Sequence, residues 1–223
     1  TIEALARHMS WGLVATPDEL ICWAAAGGHE VMVQHLHDIW GAKDITRAMT
    51  IAARHGHEAV VRQCHAWDAR RINHRAMVQA AAGGHDVIMR LCYVWGARTV
   101  GEAMVAAARG GHENLVRLCY TWGSQQVDQA MAAATEGGHE AVVRMCYSEL
   151  GARDVNRAMT TAAWYGREAL VELYYDWGAN NVDRAMVEAA AHGSETLVRR
   201  CHAWGARKID QAMVAAAAGG HRA

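Results

Sequence analysis

The sequence predicts an all-α protein, an α-solenoid of stacked helix–turn–helix repeats. Three observations predict it. An Ala-Met pair returns at Met49, Met77, Met104, Met131, Met159, Met186 and Met213, in steps of 27 or 28 residues. A Gly-Gly-His or Gly-His punctuation follows most of these pairs, as at Gly110-Gly111-His112. A Trp-Gly or a close relative closes most units, at Trp40, Trp67, Trp95, Trp122, Trp177 and Trp204. Self-similarity at a fixed period of this size marks a repeat array, in which a unit buries its apolar face only by stacking on its neighbours.

Each unit reads as two short helices. In the unit around Met104, Val100, Ala103, Met104, Ala107 and Ala108 fall on one stripe of a 3.6-residue period. Two residues before each Ala-Met, or its equivalent, stand Asp18, Thr46, His74, Gly101, Asp128, Asn156, Asp183 and Asp210. Most have a short side-chain oxygen and are expected to cap the first helix. Gly110-Gly111 then stops it, because glycine enters the left-handed region at little cost. Leu115, Val116, Leu118, Cys119 and Trp122 form a second stripe. Glu113 lies near its start, where a carboxylate suits the helix dipole, and Gly123 lies at its end. Helices this short are marginal alone, so stability must come from stacking.

The chain is expected to be one repeat domain over residues 1–223. Residues 1–12 match a second helix without its first, seven full helix pairs occupy about 18–205, and 208–223 match a first helix. Both ends lack a polar terminal repeat, which predicts a piece of a longer array whose open ends self-associate end to end. A hydrophobic fraction of 52% with a net charge of −1 excludes a disordered chain and gives no basic excess for nucleic acid. No run approaches the roughly 18 apolar residues of a membrane span. Some units are irregular. Leu20-Ile21 replace Ala-Met in the first, Trp164-Tyr165-Gly166-Arg167 replace Gly-Gly-His, Tyr174 stands where cysteine is expected, and Ser194 replaces a histidine. Such drift fits a natural array.

At Ala107-Ala108-x-x-Gly111-His112-x-x-Leu115-Val116-Arg117-Leu118, and at Gly96-Ala97, the sequence resembles the ankyrin repeat in every unit. The Thr-Pro-Leu-His opening of that family is replaced by x-Ala-Met-x. The link from the closing glycine to the next methionine is about six residues shorter than in an ordinary repeat of about 33. The resemblance therefore implies ankyrin-like helix pairs without hairpin fingers. Short divergent arrays of this kind look like those of large DNA viruses. The resemblance also implies that the end of each first helix lines a concave binding surface.

The recurring polar residues are read as structure. His29, His57, His85, His112, His139 and His221 share one position. Repeats lie roughly 10 Å apart, and two nitrogens on one zinc lie within about 4 Å of each other, so neighbours cannot share a metal. The family resemblance implies that each histidine bonds backbone across the turn between helices. Cys64, Cys92, Cys119, Cys146 and Cys201 are too far apart to pair, since a disulfide needs Cα atoms within about 7 Å. They read as core thiols of a reducing, cytoplasmic compartment. Cys64-His65 and Cys201-His202 resemble a nucleophile and base, but adjacent helical residues face apart. No acid–base constellation appears, so no enzyme and no cofactor are expected. The Met and Trp positions read as core, each Trp donating its N–H to a turn carbonyl.

Arg62, Arg90, Arg117, Arg144 and Arg199 recur on the second helices and Arg47, Arg75, Arg157 and Arg184 on the first. A basic stripe could follow phosphates, but glutamates alternate with them, which reads as solvated surface with local ion pairs. The varied positions of the first helix are those equivalent to 102, 106 and 109. They place two aromatics, Trp164 and Tyr165, where other units carry small residues and glycine, with Arg157, Arg184, Glu188 and His192 expected beside them. A smaller patch is Trp23 with Arg47, Ile51 and Arg54. The predicted function is a protein–protein interaction scaffold whose concave face meets a protein partner. The alternative is nucleic-acid binding along the arginines.

Overall fold

A computed structural model describes residues 15–68 and 74–221. The chain forms two compact units, residues 1–107 and 108–223, each taken by itself below. The first holds α1 (Pro17–Ala26), α2 (Glu30–Asp38), α3 (Ile45–His55), α4 (Glu58–Trp67), α5 (His74–Gly83), α6 (Asp86–Val94) and most of α7 (Val100–Arg109). The second holds α8 (Glu113–Thr121), α9 (Val127–Gly137), α10 (Glu140–Ser148), α11 (Val155–Trp164), α12 (Glu168–Asp176), α13 (Val182–Ala191), α14 (Glu195–Ala203) and α15 (Ile209–Ala218). The architecture is an all-helical repeated array of the α-solenoid type, with no strand among the described residues. The expected partial helix at 1–12 lies outside the described residues.

Within each unit the first helix of a pair packs on its own second helix and on the first helix of the next pair, as α9 does on α10 and α11. The Ala-Met stripe makes this possible. Met77, Met104, Met131 and Met159 are fully buried, with buried alanines following each, such as Ala134 after Met131 and Ala162 and Ala163 after Met159. Methyl side chains let the first helices approach closely, and the methionine fills what remains. The second helices contribute Val60, Val61 and Cys64, or Leu115, Val116 and Cys119, to the same core. Replacing one such methionine by alanine should cost about 2–5 kcal/mol. Met213 on α15 departs from the pattern and is 53% exposed.

The expected first-helix caps are corrected by the structure. The helices begin earlier, so Asp18, Asp128, Asn156 and Asp183 are second helical residues rather than caps. The side-chain caps observed are Thr16, in a capping box with Glu19, and Asp44 and Asp154, which accept the N–H groups of Arg47 and Arg157. The residues predicted as caps instead reach the next repeat. Asp18 accepts the N–H groups of Lys43 and Asp44 at 2.6 and 2.9 Å. Asp128 takes those of Arg153 and Asp154, Asn156 those of Asn180 and Asn181, and Asp183 those of Arg207 and Lys208. These donors precede the first turn of the next first helix, where N–H groups otherwise lack partners.

The histidines tie the other end of the same helices. His57 Nε2 donates to Ala26 O at 2.9 Å, His85 to Arg54 O at 3.0 Å, and His139 to Arg109 O at 2.9 Å. Each acceptor lies in the last turn of the preceding repeat's first helix and would otherwise be an orphan carbonyl. The bond therefore joins repeats and does not close the histidine's own turn. Arg167 performs the same task, donating to Glu136 O at 3.1 Å. Glycine is needed opposite the ring: Gly111 has φ +77°, and a Cβ there would stand 2.6 Å from His139 Nδ1.

The tryptophans are not core, which corrects a second expectation. Trp67, Trp95, Trp177 and Trp204 are half-buried and stack on a ring of the preceding repeat. The pairs are His37–Trp67, His65–Trp95, Tyr147–Trp177 and Tyr175–Trp204, with centroids 3.8–4.1 Å apart and planes within 15°. Tyr174, in the cysteine position, is fully buried and its hydroxyl bonds Thr135, which replaces the alanine found in other units. Thr135 also donates to Met131 O at 2.8 Å.

Two outcomes are expected. Thr135→Ala should destabilise the fold by about 1–3 kcal/mol by leaving a buried hydroxyl unpaired. Adding Tyr174→Phe should recover most of that loss in thermal melts, since both partners are then removed. The carboxyls of Asp18 and Asp183 are held below the usual aspartate value, chiefly by the two backbone N–H groups each accepts. A depressed folded value means stability present above the unfolded value of about 3.8 and lost as pH falls through the folded one. The acid limb of a urea-midpoint profile should flatten in Asp18→Asn with Asp183→Asn, as Asn156 already makes the same bonds without a charge.

Candidate functional site

Trp164 ends α11 and Tyr165 follows it, and the chain turns only at Gly166, whose φ is +64°. In most other units two consecutive glycines make this turn, and in two units a single histidine, His55 or His192, precedes the glycine. Here two rings project, each 48% exposed. Trp164 meets His192 edge-on, with centroids 4.4 Å apart and planes at 73°. The two aromatics form one wall of a groove in the second unit. Arg184 and Glu188 of α13 form another, with Thr160 and Thr161 of α11 and Glu136 of α9 completing it.

The structure thus brings Trp164, Tyr165, Arg184, Glu188 and His192 together as the sequence predicts. It leaves Arg157 outside the groove lining, exposed two helical turns before Trp164. Sequence reasoning missed Glu136, Thr160 and Thr161. Glu136 and Thr161 do occupy varied positions, equivalent to 109 and 106. Lateral adjacency between repeats, which sets Glu136 beside Trp164, had to be read from the stacking.

The groove has an ordered electrostatic pattern. Its carboxylates are recessed: Glu136 and Glu188 side chains are 29% and 20% exposed. Their arginines are at the rim, Arg109 57% and Arg184 69% exposed. Arg109 bonds Glu136 at 2.8–2.9 Å, whereas Arg184 stands 3.6 Å from Glu188, beyond a normal hydrogen bond.

The second predicted patch lies on α1 and α3 of the first unit. Trp23 is 58% exposed, Arg47 and Arg54 are exposed, and Ile51 is half-buried. Among the described residues their only side-chain hydrogen bond is Arg54 Nη1 to Gln79 Oε1 at 3.4 Å. In the second unit a larger apolar groove lies between α13, α14 and α15, floored by Met186, Val198 and Met213.

The recurrent groups behave as structure. Arg62, Arg117, Arg144 and Arg199 each pair with an acid one turn before, Glu58, Glu113, Glu140 and Glu195, and Arg90 stands 3.8 Å from Asp86. Cys64 is buried, its thiol pushed up to about 12 by desolvation, while His65 is spent on Trp95. Cys92, Cys119 and Cys146 are likewise raised to about 12 and Cys201 to about 11. Thiolate is the reactive form, and a raised value makes it scarce. The folded protein should therefore react with a thiol reagent at pH 8 at least tenfold more slowly than in urea, where all six cysteines should titrate. No described helix is long and apolar enough to cross a membrane. No family model matches the chain, and no curated protein matches it.

Proposed function

We propose that the chain is an ankyrin-like scaffold that binds a protein partner on its first-helix face, centred on the groove at Trp164 and Tyr165. The observation that carries this reading is the pair of half-exposed rings at a turn that paired glycines make in most other units. Packing between repeats does not require them, and exposed aromatics beside arginine supply much of the binding energy at protein interfaces. The ankyrin-like reading is supported by the Gly-His turn and by the stacked helix pairs. The mechanism is presentation by rigid elements, with no chemical step and no cofactor. Six free buried cysteines suit a reducing, intracellular compartment.

Nucleic-acid binding along the arginines is the weaker reading, because the second-helix arginines are engaged by acids on their own helices. The salt dependence of binding separates the two.

Trp164→Ala with Tyr165→Gly restores the commoner turn. It should keep the helical circular dichroism spectrum and cost about 2 kcal/mol or more of affinity for the protein that the chain captures from lysate. Undiminished affinity would remove this face as the site. An unfolded double variant would make the rings part of the core.

A further inference from the structure

Glu188 is the less satisfied of the groove's two recessed acids. Its side chain is four-fifths covered, yet among the described residues its carboxylate accepts no hydrogen bond, and the nearest cation, Arg184 Nε, is 3.6 Å away. Glu136, the other recessed acid, is engaged by Arg109 through one oxygen, Oε2. Beside them stands Trp164, whose contact with His192 is edge-on and leaves ring surface exposed. Glu58, Glu113, Glu140 and Glu195 differ, each taking a close arginine on its own helix. An underused, recessed carboxylate against an open indole is complementary to a planar cation, which can lie on the ring and donate in its own plane to the acid.

We propose that the groove takes a guanidinium group, an arginine side chain of the partner, stacked on Trp164 and hydrogen-bonded to Glu188, with the second oxygen of Glu136 as a further acceptor. This inference rests on the reading of the Trp164 face as a binding face and names what that face selects. Guanidinium is favoured over ammonium because it combines a flat stacking surface with forked donors. Arg184 swings aside at little cost, since its contact with Glu188 is long and solvent-exposed.

The test titrates short blocked peptides, Gly-Gly-X-Gly-Gly, into the whole chain and follows indole resonances by NMR, with the Trp164 signal assigned by its loss in Trp164→Phe. With X as arginine, the Trp164 resonance should shift at low salt, at least tenfold more tightly than with citrulline, its neutral isostere, and more tightly than with lysine. Glu188→Gln, nearly isosteric and checked by its melting temperature, should weaken the arginine peptide at least tenfold. Equal binding of arginine and citrulline peptides, or no effect of Glu188→Gln, overturns the proposal. So does preferential binding of a glutamate peptide or a short oligonucleotide at Trp164, though either would leave the face a binding face. Failure of that broader reading would show separately, as unaltered capture of the lysate partner by Trp164→Ala with Tyr165→Gly.

Discussion

The first helices of this array begin and end with backbone groups that lack partners within the helix, and among the described residues neighbouring repeats supply several of those partners. At the N-terminal end Asp18, Asp128 and Asp183, with Asn156 in one unit, accept the N–H groups of the following repeat's link. At the C-terminal end His57, His85 and His139, with Arg167 in one unit, donate to a last-turn carbonyl of the preceding repeat. The signs suit the helix dipole, with acids where free N–H groups gather and donors where free carbonyls do. Apolar stacking supplies most of the free energy, but it is slippery. These directional bonds set the register at which one Ala-Met stripe meets the next.

Departures from the repeat pattern are compensated in space. Tyr174 takes the place of a cysteine and brings a hydroxyl into a dry core. Thr135, on the preceding repeat's first helix, takes the place of an alanine and bonds it. Arg167 takes the place of a histidine and still reaches the carbonyl of Glu136. Ser194 takes the place of another and caps its own helix at Leu197 N while bonding Glu168. Trp164 and Tyr165 differ from these. They replace small residues at a turn, and about half of each ring stays in water. That contrast is why this face, and not the recurring histidines, cysteines or arginines, carries the functional reading.

The periodicity alone determined that the chain is a helical array, where each helix pair falls, and that methionine, alanine and cysteine line its core. A 27- or 28-residue period with two helical stripes per unit admits few other arrangements. It also made Trp164 and Tyr165 visible as exceptions. Only the stacking decided what the polar positions do. An aspartate at the second position of a helix and an aspartate at its cap look alike in sequence, since both sit beside free N–H groups. Which group the carboxylate reaches depends on where the next repeat lies. The tryptophans, apolar by composition, are stacked half-buried because the rings they meet, His37, His65, Tyr147 and Tyr175, belong to another repeat. Glu136 joins Trp164 in one groove for the same reason: the two are distant along the chain but lateral neighbours across the helices, and lateral distance is a property of packing.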